Sequence, residues 1–133
     1  ILSDGSRNRV INIPIVGEIA AGLPIEAYEE RVESIAVTSD LSPSGAAYAL
    51  RVRGDSMIGD HICDGDIVIV EPCDTVNDGE IGVAMLDDGT VTLKRILRDN
   101  NRVRLQPSNV KFAPIYADEV RLRGRVTSIV RRP

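Results

Sequence analysis

The sequence has no tryptophan, one phenylalanine, three tyrosines, one histidine and two cysteines among 133 residues. With so few rings, any core must be filled by aliphatic side chains. The single histidine, His61, argues against a zinc hydrolase, which usually draws on two or three imidazoles, and leaves a Ser-His-Asp triad one candidate base. Hydrolytic chemistry here requires a different base. Cys63 and Cys73 are too few for a disulfide framework and lack the paired spacing of a zinc site; both read as small packing residues of a reducing compartment. No metal or other cofactor is expected. There is no apolar run near the roughly 20 residues of a membrane-spanning helix and no charged-then-apolar signal pattern, so a soluble, cytoplasmic chain with no membrane partner is expected.

What is present fits one aliphatic domain. At 43% hydrophobic and 27% charged residues, the chain is long enough for one ordinary core and too short for two. Its net charge of −4 argues against a broad basic face for a phosphate backbone. Short β-branched runs separated by Gly, Pro and Asp-rich turns predict a mostly β fold. Strands are expected at Tyr48 to Arg53, Asp66 to Val70, Glu80 to Met85, Thr90 to Leu97 and Arg102 to Leu105. Hairpins are expected through Asp87-Asp88-Gly89 and through Asp99-Asn100-Asn101, because these residues tolerate the positive φ angles of tight turns. In the last segment Val120, Leu122 and Val126 alternate with Arg121, Arg123 and Arg125, as in a half-buried strand with one solvated face. Residues 1–12 have linker composition and the domain is expected to run from 13 to 133. The chain begins with Ile rather than Met, which suggests that something upstream has been removed.

Three features can serve one chemistry. Ser56 lies in Gly54-Asp55-Ser56-Met57, Lys94 in Thr92-Leu93-Lys94-Arg95, and a small-residue stretch, Ala20-Ala21-Gly22, follows Val16 and Ile19. Ser56 is not a G-x-S-x-G elbow, since Gly59 stands three positions after it, and a serine in such a turn is ordinarily only a turn residue. A strand lysine normally faces water. On a covered face, however, desolvation lowers its pKa from about 10.4 and raises the neutral fraction at pH 7 from about 0.04% to as much as a quarter for a drop of about 3 pH units. A neutral amine beside Ser56 would supply the base of a Ser-Lys nucleophile pair, with backbone N–H groups of the turn facing the developing oxyanion. Ala20-Ala21-Gly22 carries little bulk and Gly22 tolerates unusual backbone angles, so a scissile bond can enter a tight cleft there, anchored by Val16 and Ile19. His61 and Cys63 are two apart and open to a Cys-His pairing, but plain packing is the better reading. Asp64-Gly65-Asp66 and Asp87-Asp88 read as turns rather than calcium loops.

Together these stretches resemble the self-cleaving C-terminal domains of the family that includes LexA, UmuD and the lambdoid phage repressors. The resemblance rests on Ile13-Pro14-Ile15-Val16-Gly17-Glu18-Ile19-Ala20-Ala21-Gly22, on Arg53 to Met57 with Cys63-Asp64-Gly65-Asp66, and on Thr90 to Arg95. Leu105-Gln106-Pro107-Ser108-Asn109, Phe112-Ala113-Pro114-Ile115 and Gly124-Arg125-Val126 continue it. Ser56 follows Ala21 by 35 positions and Lys94 follows Ser56 by 38; this order and spacing carry the specificity. The resemblance implies Ser56 as nucleophile, Lys94 as general base and Ala21–Gly22 as the bond cut, in a strongly bent, partly barrel-like antiparallel β fold. It further implies a homodimer, cleavage stimulated by RecA filaments on single-stranded DNA, and operator binding only through an upstream winged helix-turn-helix domain. The Ala-Ala-Gly loop fits the SOS repressors better than UmuD, where Cys-Gly is usual. Signal peptidases also pair Ser-Met with Lys-Arg, but they need a membrane anchor and a proline soon after Ser-Met, where this chain has Ile58-Gly59. A UmuD-like or phage-repressor-like self-processing protein, a dimerisation module without catalysis and a protease acting on other chains are the remaining alternatives.

Overall fold

The structure, a computed structural model, describes residues 9–20, 26–27 and 33–131. Its strands are β1 (Val10–Ala20), β2 (Glu26–Ala27), β3 (Glu33–Thr38), β4 (Tyr48–Arg53), β5 (Ile67–Glu71), β6 (Ile81–Met85), β7 (Val91–Asp99), β8 (Arg102–Gln106), β9 (Ile115–Ala117) and β10 (Arg121–Val130). The helical content of the described residues is two short 3-10 turns, Ser39–Leu41 and Ile58–Asp60. The mostly β class read from the sequence is therefore the one the chain adopts.

All strands join one sheet in the order β2-β1-β4-β5-β10-β6-β7-β8-β9, with β3 also paired to β1. Two details differ from a partly barrel-like, antiparallel arrangement. The order has open ends, and β1 runs parallel to β4, with Ile19 opposite Val52 and Ala20 opposite Arg53. Parallel neighbours need a long crossover, and residues 21–47 provide one; within it, β2 and β3 return along the other edge of β1. Strand β1 also begins earlier than composition suggests, since Val10, Ile11 and Asn12 pair with Thr38, Val37 and Ala36. Backbone pairing needs no apolar side chains, and Val10 remains 72% exposed.

The expected central elements form where turn chemistry and apolar runs place them. Strand β5 is buried at every position between β4 and β10, which is why its sequence is a continuous Ile-Val run instead of an alternating one. The β6–β7 hairpin turns through Gly89 at φ +86° and the β7–β8 hairpin through Asn100 at φ +62°. In β10 the alternation breaks at two register shifts, Leu122/Gly124 against β6 and Val126/Ser128 against β5. Gly124 is required at the first: a Cβ there would overlap the Val70 side chain and lie 2.8 Å from the Glu71 carbonyl oxygen.

The core is aliphatic. One cluster joins Ile19 of β1, Leu50 and Val52 of β4, Met57 and Ile62 of the following loop, and Val91 and Leu93 of β7. Each such side chain contributes roughly 1.5–3 kcal/mol by leaving water. The same packing fixes three segments relative to one another: the end of β1, the loop after β4, and the middle of β7.

Candidate active site

Ser56 sits in a loop whose neck is closed by backbone bonds. Gly65 N–H donates to the Val52 carbonyl and Val52 N–H to the Asp66 carbonyl, both at 2.8 Å. Gly54 and Gly65 each take φ of +91°, angles that disfavour any residue with a Cβ. Inside the loop Gly54 N–H donates to the Asp64 carboxylate at 2.8 Å and Cys63 N–H to the Asp66 carboxylate at 2.8 Å. Asp66, only 2% exposed, accepts from Arg131 at 2.8 Å, and that guanidinium holds its carboxyl below the usual range. The two aspartates that read as turn residues thus organise the loop through these hydrogen bonds.

Lys94 projects from β7 into the protein, where it is 2% exposed. Both sides of β7 are covered from Val91 to Lys94, so alternation leaves no solvated face for the lysine to take. Its Nζ donates to Thr92 Oγ1 at 2.6 Å, to the Leu93 carbonyl at 3.1 Å and to Ser56 Oγ at 3.3 Å. Burial alone pushes its pKa down to about 8. A lysine at that value is neutral in about a tenth of molecules at pH 7. Ser56 itself is 8% exposed.

Strand β1 carries the third element toward the same place. Ile19 is buried in the cluster that holds Met57 and Leu93, the immediate neighbours of Ser56 and Lys94, and Val16 packs against that cluster half-buried. Ala20 ends the strand opposite Arg53, three positions before Ser56. Glu18 of β1 accepts from Arg53 of β4 at 2.6 Å, which holds the Glu18 carboxyl below its ordinary value. Ala21 and Gly22 lie outside the described residues.

Several residues around Ser56 carry no signal that composition or periodicity could have revealed. Thr92, fully buried, supplies the shortest contact to Lys94; its shared face with Lys94 was legible, its burial was not. Ser108 N–H donates to the Ser56 carbonyl at 2.9 Å. Asn109 Nδ2 donates to the Asp55 carbonyl at 2.9 Å. Gly59 N–H donates to the Ser108 carbonyl at 2.6 Å, an approach that a Cβ at Gly59 would block. Arg95, next to Lys94, ties the 3-10 turn to β7 through Asp60 at 2.7 Å. Among the described residues no hydrogen bond is donated by the backbone N–H of Asp55, Ser56 or Met57, leaving these donors open to a ligand atom.

His61 and Cys63 do not lie on a strand. His61 takes φ +64° at the end of the 3-10 turn, and Cys63 Sγ contacts Arg131 Nη2 at 3.2 Å. Two surface concavities of about 450 and 480 Å³ share no lining residue with Ser56 or Lys94. No helix among the described residues is long and apolar enough to cross a membrane.

Comparison with known proteins places this arrangement. A family described as Peptidase S24-like matches residues 14–127. The chain is 41% identical to the LexA repressor of Desulforamulus reducens over 98% of its own length and 61% of that protein. It is 46% identical to the LexA repressor of Zymomonas mobilis over 94% of its length and 58% of that protein. With the LexA repressor of Anaeromyxobacter dehalogenans it shares 50% identity over 82% of its length and 48% of that protein. The chain thus spans about half to three-fifths of the curated relatives it matches.

Proposed function

The chain belongs to the Peptidase S24-like family, and from that premise we propose that it is the self-cleaving and dimerising part of an SOS-type transcriptional repressor, cut at Ala21–Gly22 by Ser56 and Lys94. The observation that carries this reading is a buried lysine, with no carboxylate among the groups shifting its pKa, 3.3 Å from a serine hydroxyl. An ammonium in that place donates to Ser56 Oγ; after losing its proton the same nitrogen accepts the Oγ hydrogen. Ser56 Oγ then attacks the Ala21 carbonyl carbon while the proton passes to Lys94. As the tetrahedral adduct collapses, the Ala21–Gly22 bond breaks, and Lys94 returns the proton to the Gly22 nitrogen. Water, with Lys94 again as base, hydrolyses the ester at Ser56.

Strand β1 supports the delivery of that bond, because it runs parallel to β4 and ends beside the residue that begins the Ser56 loop. The reaction is intramolecular, so effective molarities of order 10⁵ M or more compensate a modest base. In the whole repressor, residues 13–133 form the catalytic and dimerisation domain, an upstream domain binds operator DNA, and a RecA filament on single-stranded DNA raises the docked fraction of the cleavage segment in the cytoplasm. Cleavage separates the two domains and ends repression.

Incubation of the purified chain at alkaline pH tests the reading. Two fragments split between Ala21 and Gly22 are expected, and the first-order rate should rise about tenfold from pH 7 to pH 9 as a base of pKa about 8 deprotonates. Ser56→Ala and Lys94→Ala should leave the chain intact, and Gly22→Asp should block entry of the segment. Cutting that persists in either dyad variant removes the assignment, while an intact wild-type mass after long incubation favours a dimerisation module without catalysis.

A further inference from the structure

Ser108 and Asn109 reach across from the segment after β8 and bind two consecutive carbonyls of the Ser56 turn. The Asp55 carbonyl accepts from Asn109 Nδ2 at 2.9 Å and from Ile58 N–H at 3.1 Å. The Ser56 carbonyl accepts from Ser108 N–H at 2.9 Å. Ser108 is itself tied to the turn at three further points: its carbonyl to Gly59 N–H at 2.6 Å, its Oγ to Asp60 N–H at 3.1 Å, and its Oγ to Met57 Sδ at 3.7 Å.

The consequence follows from peptide planarity. Described peptide bonds are all trans, and in a trans peptide the N–H points opposite to the C=O of the same plane. Fixing the Asp55 carbonyl therefore aims the Ser56 N–H, and fixing the Ser56 carbonyl aims the Met57 N–H, both away from segment 108–109. These N–H groups are among those that donate to nothing in the described residues. The amide of Asn109 has only one orientation that serves both its bonds: Oδ1 accepts from Lys111 N–H at 2.9 Å, so Nδ2 must face the Asp55 carbonyl.

We propose that Asn109 is a positioning residue for self-cleavage, acting through the Asp55–Ser56 peptide to hold the Ser56 N–H where it donates to the oxyanion formed from the scissile carbonyl. Ser108 does the same for the Met57 N–H through its main chain. Donors held in advance require no reorganisation as charge develops on the carbonyl oxygen. The proposal rests on the Ser56-Lys94 reading of the site and extends it to a residue that touches neither reacting atom.

The test uses variants that lose the Nδ2 amide but keep an acceptor for Lys111 N–H: Asn109→Asp, whose ionised carboxylate only accepts, and Asn109→Ser, whose shorter neutral side chain carries one hydroxyl in place of the amide. Self-cleavage of the 133-residue chain is followed as a first-order rate from pH 6 to pH 10, with Asn109→Ala alongside. Asn109→Asp, with no donor left, should lower the plateau rate about tenfold or more, and Asn109→Ser should lower it as well. In Asn109→Ser the midpoint of the pH profile, which reports Lys94, should stay in place and the thermal midpoint should match wild type. A wild-type plateau rate in Asn109→Asp, with loss only in Asn109→Ala, reduces the residue to a local turn former and overturns the proposal. So does a displaced pH midpoint with an unchanged plateau in Asn109→Ser. Ser56→Ala is run in parallel, because cleavage in that variant defeats the dyad itself and not the role of Asn109.

Discussion

A lysine kept from water with three neutral partners and no counter-charge costs the fold stability, and the sign of that cost with pH is fixed. The unfolded chain retains the Lys94 proton up to about 10.5, the folded chain only to about 8. Below pH 8 both states are charged and the folded state carries the full desolvation penalty. Between the two values the unfolded state binds more protons, so stability rises with pH. Lys94→Met, which keeps the length and removes the charge, should therefore be more stable than wild type at pH 7 by on the order of 2 kcal/mol. The difference should shrink as pH is raised toward 10, as followed by urea unfolding at several pH values. A Lys94→Met chain no more stable than wild type at pH 7 would show that Thr92, Leu93 and Ser56 fully offset the burial. At this scale the sequence revealed the two residue types and their separation, but not the face: Thr92, Lys94 and Ile96 alternate with Val91, Leu93 and Arg95 whichever side is wet.

Among the elements, the loop between β4 and β5 is the one on which the site depends. It is closed at its neck by Val52, Gly65 and Asp66, organised inside by Asp64, and clamped from outside by Ser108, Asn109 and Arg95. Gly59 is where clamp and loop meet most tightly. Gly59→Ala pushes a methyl into the Ser108 carbonyl, and the backbone on both sides must move. Destabilisation of about 1–3 kcal/mol is expected, together with a self-cleavage rate lowered more than the lost stability alone explains, measured well below the melting temperature. Equal rates for Gly59→Ala and wild type would mean that the clamp can relax without disturbing Ser56. The strands flanking this loop were legible from their apolar runs and turn residues, within a residue or so at most ends. The clamp was not, because its contacts join positions about 50 apart in sequence and its key atoms are backbone carbonyls, which every residue carries.

For the whole molecule, the defining feature is that the strand leading to the proposed scissile bond shares one sheet with β4, which leads into the Ser56 loop, and with β7, which carries Lys94. Glu18 and Arg53 lie 35 positions apart and form an ion pair at 2.6 Å across the β1–β4 boundary. Such a half-exposed pair adds little stability, so Ile19 packing and the strand register do most of the anchoring. If substrate and catalyst share a chain in this way, the first-order rate of self-cleavage should be independent of protein concentration over at least a hundredfold dilution. Mixing Ser56→Ala chains with active wild type should leave the Ser56→Ala chains uncut. A rate that falls in proportion to dilution would indicate attack on other chains.

The sequence by itself determined the class of fold, through aliphatic runs and turn residues whose preferences are local, and it offered Ser56 and Lys94 as a candidate pair, through an order and spacing that resemble the family's. It also offered Ala20-Ala21-Gly22 as a candidate cleavage segment, on small side chains alone. Tertiary structure alone decided that β1 runs parallel to β4, that both faces of β7 are covered at Lys94, and that Ser108 and Asn109 grip the Ser56 turn. The reason is physical: turn and strand preferences act between neighbours in the chain, whereas desolvation of an amine and the aim of a peptide N–H depend on what distant segments bring against them.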